Sequence, residues 1–477
     1  MTKDKSAYFL IGILMISNFE IFGQELVFKK NMNLTNSSRA SAEVLPIIHS
    51  DNKSTLIFFD NLGIKAIELN EDFEEIDHYN MIREPSQVKP LLGYNVESNK
   101  YNLFFSDNKM SELYTQTIDV SNKQNTNLTS VKMLKKEKYL ESASHLDRFY
   151  LLTIKNQSSI LKLYEFQGAN LLHEKEFDFS EFKLSYPDYP SLYFTLNPIV
   201  KIDGRAPVPL EMAVAKSKVY FHDSKFYITI DNSLKNTKII ILDLIAYASS
   251  VKIIDHEPLE CGNVNNPVVA NSFLNNSILF QVKSCKEGLT LNIKDIQTTN
   301  LLANYSSRKD EEISFKNGPI HQDGPASPYS DKTGKELDET KEALRKISNS
   351  LIGISGYKHS AKTILTIGGY IEVTQSSGGI PVGFIGTSAS YNPVLYGYGE
   401  YKKTRAVYFR SILNDSTFEH VKDGFVRTDF DKIHDFEDSN IAGVSIETIF
   451  LRGGEYFFGY YNKSEKLYSI RKFLNDI

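Results

Sequence analysis

Runs of β-branched and aromatic residues alternate along this chain with short polar turns, two runs to a unit. TLIFFDNLGIKAIEL (55–69), YNLFFSDNKMSELYTQTID (101–119) and FYLLTIKNQSSILKLYEF (149–166) are three instances. FYITIDNSLKNTKIIILDL (226–244), SILFQVKSCKEGLTLNIKD (277–295), AVYFRSILNDSTFEHV (406–421) and GEYFFGYYNKSEKLYSIRKF (454–473) are four more. Each run shows partial two-residue alternation, and each pair is joined by Asn, Asp, Lys, Gly or Ser, which is the signature of a β-hairpin.

The hairpins recur. Phe58, Phe104 and Leu151 are 46 and 47 residues apart, Tyr227 and Leu279 are 52 apart, and Tyr408 and Phe457 are 49 apart. A repeat of about 40–50 residues built from antiparallel strands is the size of one four-stranded propeller blade. Two gaps are longer, and ILTIGGYIEV (364–373) supplies a further hairpin inside the second, which brings the count to about eight. The predicted fold is therefore all-β: a β-propeller of six to eight blades with one loop–helix insertion. Tandem β-sandwiches are the alternative, since their strand spacing is similar. WD-type repeats and tryptophan-ended Asp-boxes need Trp, and the chain has none.

One segment breaks the rhythm. NGPIHQDGPASPYSDKTGKELDETKEALRKISNS (317–350) opens with two Gly-Pro dipeptides, a loop signal. Leu337, Thr340, Lys341, Leu344 and Ile347 then fall at helical spacing, with acidic residues early and basic residues late, as the helix dipole favours. The expected organisation is a signal peptide over 1–23, then a single repeat domain over 24–477 with its insertion at 317–350. Lys3 and Lys5 precede the apolar run Ala7–Ile16, and Gly23 offers a small residue for cleavage. A ten-residue apolar run is too short to span a bilayer. Its alternative is a buried first strand. No later segment approaches 18 apolar residues, so no membrane span is expected in the mature chain. The expected location is outside the cytoplasm: periplasm, cell surface or medium. In that setting Cys261 and Cys285 are expected to pair, closing a loop of about 25 residues and contributing roughly 3 kcal/mol. Two cysteines without a CxxC motif make no zinc site.

Charge and motifs narrow the function by exclusion. Net charge is −5, from 54 basic and 59 acidic residues, which argues against nucleic acid as a partner. The densest basic run, Lys132, Lys135, Lys136 and Lys138, reads as a solvated face. Gly353–Gly399 is glycine-rich, yet it holds no Gly-Lys-Ser/Thr phosphate loop, and Gly334-Lys335 ahead of it is followed by Glu336 where Ser or Thr is required. Gly386-Thr387-Ser388-Ala389-Ser390 misses a nucleophile elbow by its last residue, as does Gly353-Ile354-Ser355-Gly356-Tyr357 by one position. His222-Asp223 and His434-Asp435 are adjacent pairs, and neighbours in a strand face opposite ways. RTDFDKIHDFEDSN (427–440) is acidic but fails the EF-hand pattern, and it reads as a polar strand edge or loop. No cofactor and no metal are expected.

What remains is Tyr391, Tyr396 and Tyr398 among Gly, Ser and Asn, a composition that presents amphipathic contact surface at low entropic cost. The glycines around them also suit tight turns and bulges. The functional expectation is an exported binding or interaction module of unknown ligand, a glycan or a protein. A carbohydrate-active hydrolase or lyase with channel carboxylates, and a structural part of a cell-envelope assembly, are the alternatives.

Overall fold

The alternating runs do form strands, because β-branched and aromatic side chains fill a pleated surface that is buried on both faces. The computed structural model describes residues 24–34, 36–37, 40–59, 63–82, 90–145, 147–184, 189–203, 206–262, 266–323, 334–371, 405–422, 428–440 and 444–473. Among these, seven sheets of four or five strands follow one another along the chain, beside a minor pairing of Asn36–Ser37 with Ala40–Ser41. Each is built around an antiparallel meander, and the series is the strand order of a β-propeller.

Blade 1 comprises Glu43–Ile48, Ser54–Phe59, Gly63–Leu69 and Glu75–Ile82. Blade 2 runs through Leu91–Glu97, Lys100–Ser106 and Glu112–Asp119, the last paired with both Gln124–Asn125 and Thr129–Met133. Blade 3 is Glu137–His145, Arg148–Lys155, Ile160–Gln167 and Asn170–Asp178. Blade 4 is Ser217–His222, Lys225–Ile230, Asn236–Asp243 and Ala248–Asp255, with Val200–Ile202 added in parallel to its first strand. Blade 5 is Val269–Asn275, Ile278–Cys285, Gly288–Asp295 and Leu301–Arg308. Blade 6 orders Leu351–His359, Lys362–Ile371, Arg405–Asn414, Ile320–Asp323 and Lys335–Leu337 across the sheet. Blade 7 joins the two ends of the described chain: Gln24–Asn31 pairs with Leu467–Phe473, followed by Glu455–Asn462 and Val444–Arg452.

Eight hairpin signals become seven blades for a specific reason. The strand from ILTIGGYIEV pairs directly with the one from AVYFRSILN, so both belong to blade 6. AVYFRSILNDSTFEHV is accordingly one strand and a turn closed by a single Leu413–His420 bridge, not a hairpin. Gly368 makes the pairing possible: a Cβ there would lie 2.2 Å from the Val407 carbonyl oxygen. At Gly369 a Cβ would meet Ser350 Oγ at 1.9 Å and Ile347 Cα at 3.0 Å, so this glycine admits the helix Thr340–Ile347 onto the sheet. The spacing placed this helix over Leu337–Ile347; it begins at Thr340, because Leu337 ends the strand Lys335–Leu337, and it buries Ala343, Leu344 and Ile347.

The chain divides into two compact units. The first contains blade 7 and blade 1. Its core includes Phe28, Leu56, Phe58, Ile67, Phe450, Phe457, Tyr468 and Ile470, with Phe58 edge-on to Tyr468 at 4.8 Å. Arg452 ties the two sheets together. Its guanidinium lies 3.5 Å from the Phe73 ring centre and donates to the carbonyls of Asn70 (3.2 Å) and Glu71 (2.6 Å). The second unit contains blades 2 to 6. Phe104 of blade 2 stacks on Phe149 of blade 3 at 4.1 Å, a fully buried pair of the kind whose truncation to Ala costs about 3–5 kcal/mol.

Two sequence expectations are answered here. Cys261, between blades 4 and 5, is bonded to Cys285 at the end of blade 5's second strand, with Cα atoms 5.9 Å apart. The acidic segment is neither strand edge nor loop but a helix, Asp429–Asn440. Phe430 and Phe436, six apart, suit a strand's two-residue period; Ile433, three from each and buried with them, fits only the helical spacing. Thr428 opens the helix by accepting from the Asp431 amide (3.2 Å), while the Asp431 carboxylate accepts from the Thr428 amide (2.9 Å), a reciprocal cap.

Candidate functional site

Three polar constellations stand out, and their chemistry differs with how completely each is satisfied. The first lies in the second unit. Lys218, on the first strand of blade 4, is fully buried and donates to Asp231 Oδ2 (3.1 Å), Asn271 Oδ1 (2.7 Å) and the Ala215 carbonyl (2.6 Å). Asp231 also accepts from Thr237 Oγ1 (2.8 Å) and Ser272 Oγ (2.9 Å). Asn271 donates onward to the carbonyls of Val214 and Ile352. Burial alone would raise the Asp231 pKa; Lys218 and Lys216 outweigh it and hold the carboxyl below its ordinary value. His256 sits 3.4 Å from Thr237 Oγ1, and burial pushes its pKa down to about 4. Lys218 and Asp231 are closed off by their partners, so the pair positions strands rather than ligands, while His256 Nδ1 is buried without a hydrogen-bond partner.

The second constellation lies in the first unit, where the Glu43–Ile48 strand of blade 1 meets the Val444–Arg452 strand of blade 7. Glu43 is reached by water and Glu447 is half-buried, yet surrounding protein desolvates both carboxyls and raises both pKa values. Glu447 sits in a β-bulge: Ser445 pairs with Tyr461 and Thr448 with Gly459, so two residues oppose one. Beside it, Ile446 has φ of 51°, a left-handed conformation that a β-branched residue adopts only under strain. Strained bulges of this kind recur at working sites.

The third is a cleft of about 190 Å³, also in the first unit, between the Gln24–Asn31 edge strand of blade 7 and the last two strands of blade 1. Lys65 and Ile67 share one face of the Gly63–Leu69 strand, and His78 and Asn80 share one face of Glu75–Ile82, by the two-residue period. Lys30, Asn31, Met32 and Asn33 face them from the end of the Gln24–Asn31 strand. Met32 is fixed by its amide to the Lys466 carbonyl (2.8 Å) and its carbonyl to Tyr461 Oη (3.1 Å). Glu75 stands between two of the bases: Lys30 Nζ is ion-paired to one oxygen, and His78 Nδ1 lies 2.9 Å from the other. Lys65 Nζ donates to the Asn33 carbonyl. Here the two lysines keep donors to spare, which is what a ligand needs.

Sequence reasoning reached none of these three groups, because each joins residues from different hairpins. Tyr391, Tyr396 and Tyr398 lie outside the described residues, as does the 1–23 segment. His222 and Asp223 do meet, at 3.3 Å, at a hairpin tip where His222 stacks on Tyr227. Among the described residues, no group of three or more His, Cys, Asp or Glu side chains is placed to hold a metal. No helix among them is long and apolar enough to cross a membrane.

No protein-family model matches the chain, and no curated protein matches it either. Among solved structures, the WD40 domain of SCAP from fission yeast aligns over 95% of this chain and 90% of its own, at 11% identity and a TM-score of 0.32. A subtype N10 neuraminidase-like protein of A/little yellow-shouldered bat/Guatemala aligns over 81% of this chain and 100% of its own, at 10% identity and a TM-score of 0.27. Dihydro-heme d1 dehydrogenase NirN in complex with DHE aligns over 58% and 50%, at 9% identity and a TM-score of 0.27. Likenesses this slight carry no argument about ligand or chemistry.

Proposed function

We propose that the protein is an exported binding module that holds a small polar ligand in the cleft between the edge strand of blade 7 and the last two strands of blade 1. The observation behind this reading is the convergence of Lys30, Lys65 and His78 with three asparagines around one small space. Blades supply rigid edges, and rigid edges set such side chains without an ordering cost at binding. Export draws on the basic start, the apolar Ala7–Ile16 run and the Cys261–Cys285 bond, since disulfides persist in oxidising compartments. Periplasm, cell surface and medium all meet that condition. Tyr391, Tyr396 and Tyr398 are proposed as a separate contact surface on composition alone. Glycan and peptide arrays, run beside hydrolysis assays on polysaccharides, test the reading. Binding without turnover supports it, and turnover without array binding overturns it.

The second reading, a carbohydrate-active hydrolase or lyase, draws on Glu447, a desolvated carboxyl in a strained bulge, and on Glu43, a second desolvated carboxyl on the adjoining strand. If it holds, Glu447→Gln abolishes polysaccharide turnover while the protein stays folded.

A further inference from the structure

We infer that the Lys30–Lys65–His78 cleft takes one polyhydroxylated ring bearing a single oxyanion, the chemistry of an acidic monosaccharide unit. This rests on the binding-module reading and adds the class of ligand. Size comes first. About 190 Å³ is below the roughly 300–1,000 Å³ of pockets for drug-sized ligands, so the cleft has room for one ring and not for an extended chain.

Charge comes second. Two ammonium groups front the cleft, and one carboxylate, Glu75, stands behind them, so the local sum is positive by one before His78 is counted. Each ammonium has three donors. Lys30 spends one on Glu75 and Lys65 one on the Asn33 carbonyl, which leaves two on each for an oxyanion between them. Such charge-assisted bonds are roughly twice as strong as neutral ones. Glu75 engages His78 Nδ1 and so fixes the ring in the cleft wall.

Polarity comes third. The side-chain amides of Asn31, Asn33 and Asn80 have no protein partner among the described residues. An amide both donates and accepts, as a sugar hydroxyl does. Met32 and Ile67 give the cleft an apolar portion for the C–H face of a ring. An inorganic anion would leave the amides and this portion unused, and a neutral sugar would leave the cations unused.

The test uses the full mature chain, titrated calorimetrically with glucuronate, glucose, inorganic sulfate and a glucuronate-terminated oligosaccharide. Glucuronate, free or as the terminal unit, is expected to bind at least about tenfold more tightly than glucose or sulfate, a difference of about 1.4 kcal/mol. Lys30→Met and Lys65→Met should each weaken it about tenfold or more with the thermal unfolding midpoint held. Raising salt from about 0.01 M to about 1 M, which shortens the screening length from about 30 to about 3 Å, should weaken it further. Binding of the oligosaccharide alone, or of both forms, supports the class and identifies the source. Glucose or sulfate binding as tightly as glucuronate overturns the inference. So does a folded protein that ignores glucuronate in both forms. Glucuronate binding that survives both lysine substitutions removes it from this cleft while leaving the binding-module reading intact. Silence on every glycan and peptide array sinks that reading itself.

Discussion

Lys218 in the second unit and Lys30 in the first are both lysines on a blade strand paired with a carboxylate, and they do opposite work. Lys218 has no solvent access, and its three donors are matched by Asp231, Asn271 and Ala215. Lys30 keeps about a quarter of its side chain exposed and has one partner, Glu75. A buried charge is tolerated only when its partners are complete, and a complete set leaves nothing to offer a ligand. A charge that keeps contact with water is stabilised by it, costs little to hold, and can exchange that water for an oxyanion. The number of donors left open, more than the presence of charge, separates the structural lysine from the binding one.

The comparison breaks most readily at Asp231. Asp231→Ala strands Lys218 in the interior and is expected to cost about 3–5 kcal/mol in chemical denaturation. Replacing both partners with apolar residues of similar volume should recover most of that loss; if it does not, the network contributes more than charge balance. His256 extends the same test to pH. Its folded pKa of about 4 lies below the ordinary 6.5, so between those values the unfolded chain takes up a proton that the folded chain refuses. Stability from this group is therefore full above pH 6.5 and declines as pH falls to about 4, by about 3 kcal/mol in all. His256→Gln should flatten that part of the profile, measured as the difference between the two proteins.

Smaller effects are expected in the first unit. Glu447→Gln should stabilise at neutral pH, on the order of 0.5 kcal/mol, because its carboxyl is desolvated and prefers its proton. The sign follows from the raised pKa: the group's favourable contribution is present in acid and lost as pH rises past the ordinary glutamate value. The gain should thus vanish toward pH 4, and a loss at neutral pH would mean that the carboxylate has a partner. Lys30→Met should change stability least, by no more than about 1 kcal/mol, since exposed ion pairs contribute little. A larger loss would make Lys30 a structural lysine after all.

Legibility in the sequence followed burial. The hairpins read correctly were the middle strands of each blade, such as Arg148–Lys155 and Ile160–Gln167, buried on both faces and dense in Leu, Ile, Phe and Tyr. The edge strand Asn170–Asp178 is almost wholly exposed and carries no such signal. The segment 427–440 misled because two phenylalanines six residues apart satisfy the strand period, while the helical signal lay in Ile433 between them. The candidate cleft was invisible: Lys30, Lys65 and His78 are ordinary polar residues, spread over 49 positions of chain.

Local pattern by itself determined the all-β class, the blade-sized repeat, the short helix after residue 337 and the pairing chance of the two cysteines, because each depends on neighbours in sequence. Tertiary structure alone decided that eight hairpin signals make seven blades among the described residues, that the first and last described strands share a blade, and which lysines are closed and which stay open. Those outcomes depend on strand registry and on burial between sheets, and a side chain's burial is set by segments that lie far from it in the chain.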